Sequence, residues 1–235
     1  MSAIYFNCRT GISGDMVVGA LLDLGIDASY LAAELKKLAL SDYSINARKV
    51  YKKGVAATKF DVYIEGDQPQ RGLAEVNYLI EESALDYEVK SLSQEIFRHL
   101  ARSEATAHKT AIENVRFHEV GAVDSIIDIV SAAILLKRLG IIDASCSTIS
   151  LGRGKTMTEH GIIDIPSPAV RHLLKGIPTT KSGISAELTT PTGAAIIKTI
   201  AGKYTDTPPG TRKKGYGAGT KDLEIPNVLE VRMIA

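Results

Sequence analysis

The chain has 235 residues, enough for one large domain or two small ones, and 45% of them are hydrophobic, enough for a sizeable buried core. Lysine and arginine number 28 against 27 aspartates and glutamates, so no whole-molecule field draws the chain to nucleic acid or to an anionic membrane, and any charged ligand needs a local site. Two cysteines far apart in sequence, Cys8 and Cys146, exclude a disulfide framework and a Cys-type zinc site, and no apolar run of membrane length is free of charge.

The first residues, MSAIYFNCRTG, carry no basic leader followed by a long apolar segment, so a cytoplasmic location is expected. Residues 3–7 read as a short buried strand that runs into a glycine-rich turn at 8–14, and apolar residues at helical spacing follow over 16–24. Gly25 ends that helix and a second is expected over 28–38. Residues 43–50 and 55–64 then alternate as a hairpin turning at Lys52-Lys53-Gly54. These form a small N-terminal α/β lobe, 1–66. After a polar joint the chain is rich in helix formers, with a long helix over 88–109 whose Val89, Leu92, Ile96 and Leu100 recur at three- and four-residue steps. The helix between Gly121 and Gly140 is apolar nearly all round, which places it at the centre of a helical region, 67–140. From Cys146 onward strand-like pieces (CSTISL, GIIDI, NVLEVRMI) alternate with helices over 167–175 and 192–202, a C-terminal α/β unit within 141–235. The fold class is therefore α/β (α+β), with no internal repeat.

Five constellations can carry chemistry. Gly11-Ile12-Ser13-Gly14-Asp15 lies between a strand and a helix, where backbone N–H groups and the helix dipole favour a phosphate. It has neither the Lys-Ser/Thr of a Walker A loop nor the third glycine of a dinucleotide fingerprint, and a tight turn with Asp15 in the first helical turn explains the same residues. His118, Glu119, Asp124 and Asp128 offer one imidazole and three carboxylates within eleven residues, a donor set that suits a borderline divalent ion such as nickel. Asp124 and Asp128, four apart, share one helix face, and Ser131 continues it. An ionised Asp128 among Ile126, Ile127, Ile129 and Val130 needs a metal or a basic side chain from elsewhere. His160 beside Gly161 in a turn can point into a cleft. Thr190 and Thr192 lead into a helix, as caps or as oxyanion contacts. KKGYGAGTK over 213–221 reads as a flexible glycine-rich loop bearing three lysines, and His99, His108 and His172 as surface residues.

GISGDM followed by GALLDLG, FHEVGAVDSIIDIV, LLKGIP, TPTGAA, and GYGAGT with PNVLEVR resemble, in the same order and across almost the whole chain, the LarC family of nickel insertion proteins. The resemblance implies an enzyme, a metal chelatase of the lyase class. Its members insert nickel into pyridinium-3,5-bisthiocarboxylic acid mononucleotide, forming nickel–sulfur bonds and a nickel–carbon bond as the pyridinium C4 loses its proton. CTP is consumed, with Mg or Mn, and the product is the nickel-pincer cofactor of lactate racemase-type enzymes. Asp15, His118, Glu119, Asp124 and Asp128 match the family motifs. The expected catalytic residues are Asp15, His118, Glu119 and Asp124. The expected mononucleotide contacts are Gly11, Ser13, Gly14, Thr190 and Thr192, and the expected nickel ligands His118, Glu119, Asp124, Asp128 and His160.

The chain departs from the family pattern at Asn7, where an acidic residue is usual, and at Arg9 and Thr10, which replace an aromatic residue and a serine. The joint at 66–71 lacks the histidine-rich stretch of many members, so metal delivery is expected to be direct or through another protein. Longer members continue into a C-terminal domain that binds CTP and forms the oligomer. That domain is expected to be absent here, which makes a CTP-binding polypeptide a partner, together with the apo-enzyme that receives the cofactor. A reading from another class is a non-catalytic nickel carrier or scaffold that acts with a separate CTP-binding chain. A magnesium phosphohydrolase built on the same acidic cluster is the third.

Overall fold

Ile4, Tyr5 and Phe6 are all fully buried, the mark of a strand covered on both faces, and they lie in β1 (Ser2–Asn7) in the interior of a seven-stranded sheet. The computed structural model describes residues 2–66, 69–117, 123–158 and 161–234. After β1 come a single 3-10 turn, Cys8–Thr10, then α1 (Gly14–Asp23), α2 (Ala28–Leu35) and the hairpin β2 (Tyr43–Lys52) and β3 (Val55–Ile64). The helical stretch contains a short β4 (Arg71–Gly72), α3 (Leu73–Glu81), α4 (Tyr87–His108), β5 (Arg116–Phe117) and α5 (Val123–Arg138). The last part runs through β6 (Ile141–Cys146), β7 (Ile149–Leu151), the hairpin β8 (Gly154–Thr158) and β9 (Gly161–Ile165), and α6 (Pro168–Leu173). It ends with β10 (Thr179–Lys181), α7 (Pro191–Ile200), β11 (Ala201–Tyr204), β12 (Thr211–Ala218) and β13 (Val228–Ile234).

The large sheet has the order β11-β6-β1-β13-β12-β3-β2 and draws its strands from both ends of the chain. β11, β6 and β1 run parallel, β13 is antiparallel to β1 and β12, β12 is parallel to β3, and β2 closes the hairpin. The mixed α/β class expected from the sequence is the class observed. Helix α5 buries twelve of its sixteen residues, as an all-round apolar helix must, between α1, α4 and the sheet. Its stop signals are local: Lys137 and Arg138 in the last turn complement the helix dipole, and Gly140 takes a φ of 64°. Ile4, Phe6, Val17, Leu21, Phe60, Ile126, Val130 and Ile196 belong to the main core. Among the described residues no helix is long and apolar enough to cross a membrane.

Two elements differ from the sequence expectation. β6 was not anticipated, because its buried end is Ala144, Ser145 and Cys146, small residues with weak strand preference; its place comes from parallel pairing with β1, Ile4 opposite Ala144 and Tyr5 opposite Ser145. The glycine-rich segment expected to be a flexible loop is strand β12 up to Ala218. Its glycines serve close approach: a Cβ at Gly215 would overlap the Ala20 carbonyl and one at Gly217 the Met16 carbonyl, so helix α1 lies directly on the strand.

Candidate functional site

Backbone contacts stitch two of the sequence motifs together. The Ile12 N–H donates to the Leu188 carbonyl at 3.0 Å and the Thr190 N–H to the Ile12 carbonyl at 3.1 Å. Gly11, with φ 89°, packs where any Cβ would meet the Leu188 carbonyl, and Gly193 packs likewise on the Ile12 carbonyl. The starts of α1 and α7 are thereby brought side by side. Helix α5 packs on α1 with Asp128 directly over Gly14, where a Cβ would overlap the carboxylate, and Ser125 Oγ lies 3.5 Å from Thr192 Oγ1. All three helices open into one cleft of about 550 Å³, whose lining includes Asp15, Asp124, Asp128 and Lys59, with Phe117, Met157 and Ile163 supplying apolar surface.

Asp15 stands in the first turn of α1, a favourable place for an anion. Lys59 Nζ lies 2.6 Å from Asp15 Oδ2, the Ser13 hydroxyl donates to Asp15 Oδ1, and Thr220 Oγ1 approaches Oδ2 at 3.4 Å. Lys59 is buried to 7% side-chain exposure and also reaches Asp61 Oδ1 at 3.2 Å and the Phe60 carbonyl at 2.8 Å. Burial pulls its ammonium down, but the Asp15 and Asp61 carboxylates outweigh burial and leave it raised. Asp61 is opposed by burial, yet Arg48 and Lys59 hold it below the usual carboxylate range.

Asp124 and Asp128 behave in the opposite way. Asp124 is open at its outer surface, yet protein crowds it closely enough that lost hydration raises its carboxyl, against a 2.7 Å hydrogen bond from the Ser125 N–H. Asp128 is pushed well above the ordinary range, first by burial and then by the Asp15 and Asp124 charges, with Lys59 only partly offsetting them. Its Oδ1 is buried and has no hydrogen-bond partner among the described residues. An orphaned carboxylate oxygen in a cleft is a strong local demand for a cation or a donor.

Of the residues expected from the sequence, Ser13, Gly14, Asp15, Asp124, Asp128, Thr190 and Thr192 line this cleft. Gly11 lies behind its wall, and His118, Glu119 and His160 fall outside the described residues. Among the described residues no three His, Cys, Asp or Glu side chains gather closely enough to hold a metal by themselves. Thr190 caps α7, its Oγ1 accepting from the Gly193 N–H at 3.2 Å, whereas Ser13 at the start of α1 makes no such cap. Sequence reasoning missed Lys59 and Asp61. The available signal was a lysine set in a run, 57–60, that is buried throughout. His108, expected at the surface, is exposed but lies on the cleft rim 3.5 Å from Glu104. Cys8 and Cys146, distant in sequence, are both buried and free, and the neighbouring Cys146 thiol followed by burial pushes the Cys8 thiol up.

Residues 4–234 match the family described as nickel insertion protein. A relative from Citrifermentans bemidjiense that carries a nickel insertion name is 47% identical over 234 residues, covering 98% of this chain and 61% of its own length. Proteins of Geobacillus kaustophilus (45% over 243 residues, 98% and 59% covered) and Desulfitobacterium hafniense (43% over 232 residues, 98% and 58% covered) are named pyridinium-3,5-bisthiocarboxylic acid mononucleotide nickel insertion protein. The chain thus spans about three-fifths of the length of these curated relatives. No solved structure matches.

Proposed function

The chain belongs to the nickel insertion protein family, and from that premise we propose that its cleft brings nickel together with pyridinium-3,5-bisthiocarboxylic acid mononucleotide to form the nickel-pincer cofactor. The observation that carries this reading is the orphaned Asp128 Oδ1 beside Asp124 and Asp15 at the meeting point of three helix starts. Carboxylate oxygens bind a divalent ion well enough to receive it and loosely enough to yield it to sulfur ligands. Asp124 and Asp128, with His118, Glu119 and His160, act as the receiving ligands. The two thiocarboxylate sulfurs of the substrate then take over the ion.

The nickel–carbon bond forms as the pyridinium C4–H bond breaks, with its electron pair going to the metal and its proton to a carboxylate of the cleft, Asp15 or Asp124. The mononucleotide phosphate is assigned to the space between the starts of α1 and α7. There the first turn of α1 has no side-chain cap, and the Thr190 and Thr192 hydroxyls flank it. Phe117, Met157 and Ile163 give the flat pyridinium ring an apolar face.

CTP with Mg or Mn is assigned to a second polypeptide that corresponds to the remaining length of the relatives, so this chain works as a chelatase of the lyase class only together with it. The coverage of about three-fifths also favours the second reading, a nickel carrier or scaffold subunit. The deciding experiment mixes the purified chain with nickel, the precursor and CTP, with and without that polypeptide, and follows cofactor formation by mass and visible absorbance. Cofactor formed only with the polypeptide is the expected result. Formation by the chain alone overturns the dependence, and no formation in either mixture overturns the insertion reading.

A further inference from the structure

Four carboxylates, Asp15, Asp61, Asp124 and Asp128, share one cleft with one buried ammonium, Lys59. An ammonium has three hydrogens, and Lys59 Nζ meets three acceptors: Asp15 Oδ2 at 2.6 Å, the Phe60 carbonyl at 2.8 Å and Asp61 Oδ1 at 3.2 Å. Its donor capacity is full, and none of it reaches Asp128, whose Oδ1 stays unpartnered among the described residues. The other guanidinium on the lining, Arg116, is half exposed and turned to Glu75. The cleft is therefore divided into a neutralised side, Asp15 with Asp61, and a bare side, Asp124 with Asp128.

We propose that Lys59 is a positioning residue that makes this division: it ties Asp15 down as a reserved carboxylate, keeps it out of the metal's coordination, and leaves Asp124 and Asp128 as the pair that receives the ion. The proposal rests on the reading of the cleft as a nickel insertion site. Its consequence is a limit on affinity. A fixed positive charge close to the receiving pair keeps the ion weakly held, which suits an ion that must leave with the product rather than stay. Removing the charge releases Asp15 to join the other two carboxylates, and a site of three carboxylates favours oxygen-seeking ions and holds them longer.

The test is calorimetry of nickel and manganese binding to the isolated chain. Lys59→Met is expected to tighten binding of both ions by roughly tenfold or more, with manganese gaining the most, while Lys59→Arg, which keeps the charge, stays near the wild type. Unchanged or weaker binding by Lys59→Met overturns the proposal, because a lysine with a structural role alone would not restrain affinity. Two further variants cover the case in which Lys59→Met does not fold. Asp128→Asn is expected to weaken nickel binding by about tenfold or more and Asp15→Asn by less than about threefold, the difference between a ligand and a neighbour; equal losses overturn the division. Cofactor formation by the wild-type chain with its partner polypeptide is scored separately. The expected affinity changes without any cofactor would leave Lys59 its role and sink the insertion reading instead.

Discussion

The first turns of α1 and α5 each present aspartates to the same cleft, yet their electrostatic situations are opposite. Asp15 at the start of α1 has an ammonium at 2.6 Å, a serine hydroxyl and the helix dipole. Asp128, one turn into α5, has burial, two neighbouring carboxylates and an oxygen without a partner. The first arrangement is how a fold stabilises a charge. The second leaves a charge unsatisfied, which a fold retains where a ligand supplies what is missing. Gly14 joins the two, since only a residue without a side chain lets the Asp128 carboxylate lie against α1.

The largest expected effect breaks the bare side of this pair. Asp128→Asn keeps the shape and removes the charge, so it is expected to lower cofactor formation by about two orders of magnitude or more, the scale of losing a metal ligand or a proton acceptor. The metal-free variant is expected to melt at or above the wild-type temperature, because repulsion from Asp15 and Asp124 is relieved. A large fall in melting temperature with activity retained would show that Asp128 serves a structural contact. Next in size is Gly14→Ala. The added methyl overlaps the Asp128 carboxylate and forces α1 and α5 apart, with a destabilisation of about 1–3 kcal/mol from overpacking. If Gly14→Ala melts like the wild type, the close seat of Asp128 on α1 is wrong.

The two helix starts were unequally legible in the sequence. Helix periods and the apolar neighbours of Asp128 are local, so α1, α5 and the unsatisfied position of Asp128 could be read directly. Lys59 could not, because its partner Asp15 lies 44 residues away and the pair exists only once β3 and α1 pack. The glycines of β12 misled for a related reason. Glycine allows both a flexible loop and a close helix contact, and the helix responsible, α1, is some two hundred residues earlier in the chain. Ser13, Gly14, Thr190 and Thr192 were legible as two separate motifs; that they face each other follows from the Ile12 and Thr190 backbone bonds.

A smaller effect, but one with a definite sign, comes from pH. Asp128 and Asp124 are raised in the folded chain, so the fold binds protons that the unfolded chain has released, and the stability contribution falls as pH rises from the ordinary carboxylate range through the raised values. Asp61 runs the other way, its contribution being lost as pH falls through its lowered value. The clean readout is the difference in melting temperature between metal-free Asp128→Asn and wild type, which is expected to grow in favour of the variant from about pH 5 to about pH 8. A difference that is flat or shrinks over that range would mean that Asp128 is not raised.

The smallest expected effect extends the comparison to the third helix start. Thr190 caps α7 through its hydroxyl and the Gly193 N–H, whereas Ser13 spends its hydroxyl on Asp15 and leaves α1 uncapped. Thr190→Ala removes a cap and should destabilise the chain by about 1 kcal/mol, a fall of about 2–4 °C in melting temperature for a chain of this size. Thr190→Ser keeps the hydroxyl and should stay close to the wild type. Ser13→Ala removes no cap, so its loss should be smaller, below about 0.5 kcal/mol, the size of an ordinary exposed substitution. The ranking then reverses in substrate binding. An uncapped α1 start that holds a phosphate loses a hydroxyl contact in Ser13→Ala, so inorganic phosphate or the mononucleotide should protect that variant from melting less well than it protects Thr190→Ser. Equal protection of the two variants would remove the phosphate from the α1 start and leave Ser13 as no more than a support for Asp15.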